Sequence, residues 1–196
     1  MKHIALITGA SSGFGWATAR KLAEKGYDLI LTGRRGDRLQ ELETELHQMF
    51  GTKCRLLVFD IRDKKMVFQQ LENLEQDWKK IDLLINNAGL ALGRDYFEDA
   101  DMDDWETMID TNLKGVIYMT RAVLPHMISN KKGHIINMGS IAGKEIYEKG
   151  NVYCASKHAL DALSRSMRVD LLRHGIKVTA IHPGAAETEF SIVRFK

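Results

Sequence analysis

Six short apolar runs separated by helical periodicity constrain this chain more than any other feature. They are HIALIT (3–8), YDLILT (27–32), CRLLVF (54–59), IDLLIN (81–86), GHIINM (133–138) and GIKVTAIH (175–182). Each is continuously apolar rather than alternating, as expected of strands buried on both faces. Between them, Leu39, Leu42, Leu46 and Met49 recur at helical spacing in 35–50, and Trp105, Met108, Ile109, Leu113, Val116 and Ile117 do so in 105–124. Val152, Ala155, Ala159, Ala162, Leu163 and Leu172 mark a long helix over 152–172. Strand and helix in alternation predict right-handed βαβ units and a parallel sheet with helices on both faces. The expectation is one doubly wound α/β domain over residues 1–196, and no repeat or linker interrupts it.

Composition narrows the function classes. A length of 196 residues suits one domain with a sizeable core. A net charge of +2 is too small and too mixed for a nucleic-acid stripe. Cys54 and Cys154 cannot make a disulfide framework, and no Cys/His spacing resembles a zinc site, so a reduced, cytoplasmic setting is expected. No apolar run approaches the ~18 residues of a membrane span. The opening MKHIALITGASSG has four apolar residues, 4 to 7, too few for a signal peptide. The acidic run EDADMDD (98–104) puts Asp104 and Asp110 where a calcium loop needs glycine and glutamate, so it reads as the approach to a helix.

The first strand ends in TGASSGFG (8–15) and opens directly into a helix. Gly9, Gly13 and Gly15 would let the backbone turn tightly and approach a pyrophosphate, with helix N–H groups facing the anion and Ser11, Ser12 and Phe14 lining the same turn. A flexible turn with packing glycines is the alternative. The position between first strand and first helix favours a Rossmann-type dinucleotide site. The second strand ends LTGRRGDR, with Arg34 and Arg35 where an NAD reader carries an acid for the ribose 2′-hydroxyl. Arginines there suit a 2′-phosphate, so NADP is expected; alternatively both are solvated residues at a helix start.

In YCASK, Lys157 follows Tyr153 by one helical turn, which places phenol and ammonium on one face. A free phenol has a pKa of ~10, and accepting a proton at neutral pH needs about three units of lowering, or ~4 kcal/mol. One ammonium ~4 Å away at an effective dielectric of ~20 supplies about that much, so Tyr153 is a candidate general acid/base. On a solvated surface the same pair would do nothing.

Together, TGASSGFG, NNAG (86–89), NMGS (137–140), YCASK (153–157) and HPGAAET (182–188) resemble the short-chain dehydrogenase/reductase family from Lys2 to the end of the chain. The resemblance implies that Tyr153 donates or accepts the proton, while Lys157 assists it and binds the nicotinamide ribose. It implies that Ser140 hydrogen-bonds the substrate carbonyl oxygen and that Asn112, in DTNLKG, supports a water-linked proton relay. Asn87, Ala88 and Gly89 would line the cofactor, Asp60 would meet the adenine, and Pro183, Gly184 and Thr188 would hold the nicotinamide end. The family usually forms homotetramers or homodimers through its long helices.

NNAGLALG, DWETMIDTNLKGVIYMTRAVLP and TEFSIVRF further resemble the NADP-dependent 3-hydroxy acid dehydrogenase branch, which acts on serine-like and allo-threonine-like substrates. That implies a small-molecule partner bearing a carboxylate. Arg194 is a candidate clamp for it, or else a surface arginine. Reduction of another carbonyl, such as a ketoacyl thioester or sugar ketone, and a sensor that binds NADP without turnover stay open. Family chains continue past the position of Lys196, so a final strand and helix are expected to be missing here.

Overall fold

The structure is a computed structural model that describes residues 2–186. Six strands, β1 (Ile4–Thr8), β2 (Asp28–Gly33), β3 (Cys54–Val58), β4 (Ile81–Asn86), β5 (Gly133–Met138) and β6 (Ile176–Ile181), form one parallel sheet in the order β3-β2-β1-β4-β5-β6. The order reverses between β1 and β4, which opens a crevice beyond the carboxyl ends of those strands.

Alternate residues of each strand face opposite layers. Ala5, Ile7, Leu29 and Leu31 pack under α1 (Gly13–Glu24) and α2 (Gly36–Phe50), meeting Ala19, Ala23, Leu39, Leu42 and Leu46. Leu6, Ile30, Leu84 and Ile135 pack on the other face against Val67 and Leu71 of α3 (Lys64–Glu72) and Met119, Val123 and Met127 of α5 (Val116–Ser129). The Asp63 side chain starts α3 by accepting from Met66 N–H at 3.0 Å.

Three details depart from the sequence reading. The helix expected over 105–124 is α4 (Met102–Ile109), then a π-helical turn (Asp110–Gly115), then α5. Gly115 permits this crowding, since a Cβ there would lie 2.6 Å from Ile61 Cδ1. Met49 ends the α2 stripe exposed. In the long helix α6 (Asn151–Leu171), Ala155 and Ala162 face outward, and Leu172 is exposed just past its end. Its buried side carries Tyr153, Cys154, Ser156, Lys157, Leu160 and Ser164. Much of that face is polar and is buried because it is hydrogen-bonded, as when Asn137 Nδ2 donates to Ser164 Oγ at 2.9 Å. Hydrophobicity alone could not mark it. The acidic approach to α4 behaves as a helix start: Asp101 accepts from Asp103 N–H at 2.8 Å.

Among the described residues, no helix is long and apolar enough to cross a membrane.

Candidate active site

The crevice at the reversal point is a cavity of about 720 Å³, reaching from the end of β2 to the segment after β6. Its floor is the glycine-rich turn. Gly9 and Gly13 take φ values of +64° and +52°, the left-handed region that favours glycine. Gly15 lies behind the lining: a Cβ there would strike the Gly9 carbonyl oxygen and come within 2.6 Å of Asn87 Nδ2. It thus lets α1 seat against the turn. Asn87 Nδ2 donates to the carbonyls of Thr8 (2.8 Å) and Gly9 (3.1 Å), while Thr8 Oγ1 accepts from Asn87 and Ala88 N–H, each at 2.9 Å. The ends of β1 and β4 are laced together at the crevice. Ser12 caps α1 without a side-chain hydrogen bond, and no acid occupies the first turn, so the helix start is suited to an anion.

At the β2 end, the two arginines have different surroundings. Arg35 Nη2 donates to the Ser11 carbonyl at 3.2 Å, and its Nε and Nη2 each reach Ser11 Oγ at 3.4 Å. Arg34 extends outward, its side chain 64% exposed, with Nη1 4.0 Å from Asp60 Oδ2. Burial pushes the Asp60 carboxyl up, but hydrogen bonds and charge from Arg62, with Arg34 behind it, hold it below its ordinary value. Two guanidinium groups, the turn and the helix start together fit a phosphate-rich dinucleotide with an additional ribose phosphate.

At the other end stand Ser140, Tyr153 and Lys157. The glycine-containing turn before α6 and its first two turns carry the tyrosine and lysine into the cavity wall. Lys157 Nζ donates to the Met138 carbonyl at 2.9 Å and lies 5.9 Å from the Tyr153 ring centroid. Burial pulls the Lys157 pKa down to about 8. Ser140 follows β5 and accepts from Ala142 N–H at 3.1 Å through its hydroxyl. Asn112, on the π turn, stands behind the lining and clasps Leu90: its Oδ1 accepts from Leu90 N–H (2.9 Å) and its Nδ2 donates to Leu90 C=O (2.8 Å). The same Nδ2 reaches Ser156 Oγ at 3.1 Å. A Cβ on Gly89 would sit 3.2 Å from Asn112 Oδ1 and 3.4 Å from Lys157 Nζ, so the three positions converge.

Of the residues singled out from sequence, Gly9, Ser11, Ser12, Gly13, Phe14, Arg34, Arg35 and Asp60 line the cavity, as do Asn87, Ala88, Gly89, Ser140, Tyr153, Lys157, Pro183 and Gly184. Thr188 and Arg194 lie outside the described residues. Sequence reasoning missed Thr8, whose role rests on long-range hydrogen bonds, and the apolar lining of Phe59, Ile61, Leu90, Leu92, Ile141 and Tyr147. Position just past a strand end is the one signal that could have found Phe59 and Ile61.

Chemically, the cavity brings a phenol, an ammonium and a serine into the wall of a pocket whose far end suits phosphates. That arrangement can hold a dinucleotide and move a proton at an oxygen beside it.

Comparison with known proteins follows the same direction. The sequence model described as short chain dehydrogenase matches residues 3–195. The NADP-dependent 3-hydroxy acid dehydrogenase YdfG of Escherichia coli K12 is 48% identical over 194 residues, covering 98% of this chain and 77% of that protein. Sulfoacetaldehyde reductase 2 of Chromohalobacter salexigens is 47% identical over 195 residues, covering 99% and 77%. The closed form of a serine dehydrogenase complexed with NADP+ superimposes with a TM-score of 0.93 at 48% identity, covering 98% of this chain and 76% of that one.

Proposed function

The chain belongs to the short-chain dehydrogenase family, and on that footing we propose that it is an NADP-dependent oxidoreductase acting on the hydroxyl-bearing carbon of a small, serine-like 3-hydroxy acid. The observation that carries this reading is the meeting of Ser140, Tyr153 and Lys157 in one cavity with the glycine-rich turn and Arg34. The names of two relatives, a 3-hydroxy acid dehydrogenase and a sulfoacetaldehyde reductase, both describe small molecules that pair an acid group with a hydroxyl or carbonyl.

A bound NADP+ would supply the hydride acceptor for the carbinol carbon. The chain's own residues manage the oxygen. Ser140 directs its hydroxyl proton to that oxygen, and Tyr153 takes the oxygen's proton in oxidation or returns it in reduction. Lys157, fixed by Met138, places a positive charge beside the phenol and would bind the nicotinamide ribose. Asn112 holds the Leu90 segment in register with Gly89 and supports the proton relay. Arg34, Arg35 and Asp60 would hold the adenosine end, and Pro183, Gly184 and Thr188 the nicotinamide end. Arg194 clamps the substrate carboxylate. The relative named for sulfoacetaldehyde favours reduction of a small acidic aldehyde as the second reading, by the same residues.

Residues 1–196 act as a single dinucleotide-binding and catalytic unit in the cytoplasm. Copies pair through α6, where Val169 is 76% exposed and Ala155 and Ala162 face the same solvent side. That yields a homodimer or homotetramer.

The test is Tyr153→Phe. It keeps NADPH affinity and loses turnover by about 10³-fold. Retention of the wild-type rate contradicts the assignment.

A further inference from the structure

Asp161 has no part in the chemistry above, yet its carboxylate joins three elements that carry it. It lies on α6 one turn beyond Lys157, with its side chain 13% exposed. Oδ2 accepts from Lys144 Nζ at 2.7 Å and is ion-paired with Arg165 Nη2 at 2.8 Å. Oδ1 faces His182 Nε2 at 3.2 Å. The other ring nitrogen, His182 Nδ1, is 3.1 Å from the Ser140 carbonyl oxygen. The Lys144 hydrogen bond, against a smaller effect of burial and with help from Arg165 and His182, holds the Asp161 carboxyl below its ordinary value.

A carbonyl oxygen only accepts, so Nδ1 must donate to Ser140. Nε2 on the opposite edge of the ring faces the Asp161 carboxylate, so the ring spans from that carboxylate to the Ser140 main chain. The imidazole also packs closely on Gly139, where a Cβ would be 2.7 Å from Nδ1. On either side the backbone is paired: Gly139 N–H donates to Ile181 O at 2.7 Å, and Ile141 N–H donates to Pro183 O at 3.0 Å. Lys144 anchors the far side of the same loop to the same carboxylate.

We propose that Asp161 and His182 form a clamp that positions Ser140 against α6, making both residues positioning residues for the reaction. The inference rests on the functional reading above for its effect on rate, but not for its effect on the loop. Neither residue lines the cavity.

The test compares His182→Asn with His182→Gln in the full chain. An asparagine amide reaches the place of Nδ1 and keeps the Ser140 bond; a glutamine amide reaches the place of Nε2 and keeps only Asp161. Amide exchange at Gly139 and Ile141 is read first, without substrate. It is expected to rise about tenfold in His182→Gln and to stay within about threefold of wild type in His182→Asn. Turnover is read second, with kcat expected to fall about tenfold in His182→Gln and to be largely restored in His182→Asn, at unchanged NADPH affinity. Equal exchange in the two variants overturns the clamp whatever the substrate. The expected exchange pattern with unaltered kcat overturns the positioning role. That pattern with no turnover of any 3-hydroxy acid by the wild type leaves the clamp standing and refutes the proposed substrate class instead.

Discussion

Lys157 Nζ donates to the main-chain oxygen of Met138 at 2.9 Å, joining the middle of α6 to the last residue of β5. This bond fixes an ammonium at the convergence of Gly89, Asn112 and the Tyr153 ring. The position is also costly, because burial pulls the lysine pKa from 10.5 to about 8.

The stability consequence has a definite sign. Below about pH 8 both folded and unfolded states carry the proton, and the whole burial penalty, about 3 kcal/mol, is felt. Between about 8 and 10.5 the unfolded chain binds more protons than the folded one, so this group's contribution makes stability rise with pH. Lys157→Met is expected to raise the stability of the ligand-free protein at pH 7 by about 1–3 kcal/mol while abolishing turnover, the lost Met138 bond offsetting part of the gain. Calorimetry at pH 7 and pH 10 checks this; the gap between variant and wild type narrows at the higher pH.

Arg34 and Arg35 are expected to fail differently. Arg34 lines the cavity mouth with its side chain 64% exposed and Nη1 4.0 Å from Asp60, whereas Arg35 grips Ser11 within the glycine-rich turn. Arg34→Ala weakens NADPH binding at least about tenfold and leaves NADH within about twofold, since it removes one charged hydrogen-bond donor to a 2′-phosphate. Arg35→Ala weakens both cofactors, because it loosens the turn they share. Fluorescence titration of the two reduced cofactors separates the cases.

Asn112 supports both backbone polar groups of Leu90. Asn112→Ala leaves them without partners and is expected to cost about 2–3 kcal/mol of stability along with most of the activity. Asn112→Asp keeps the acceptor but not the donor, so it retains the Leu90 N–H bond and falls between. Urea unfolding midpoints, read beside kcat, order the three proteins.

The strands were legible because burial on both faces writes a continuous apolar run, and all six runs became strands. The glycine-rich turn was legible because φ values such as that of Gly9 leave a residue-type signature. Three things were not. The π turn around Asn112 depends on Ile61 crowding Gly115 from another element. The buried face of α6 depends on partners for Ser156, Lys157 and Ser164 that are distant in sequence. The unequal roles of Arg34 and Arg35 depend on which guanidinium the turn captures. In the sequence these two are adjacent and identical. Spacing placed Tyr153 and Lys157 on one face, but only the fold shows the ammonium tied to β5 and lowered by burial.

The most direct test is the initial rate of reduced-cofactor formation with a 3-hydroxy acid such as serine, run with NADP+ and with NAD+ at matched concentration. Clear turnover with NADP+ and a rate at least about tenfold lower with NAD+ is the expected result, given one charged 2′-phosphate contact. Turnover of no 3-hydroxy acid with NADP+ bound, or equal rates with both cofactors, contradicts the account.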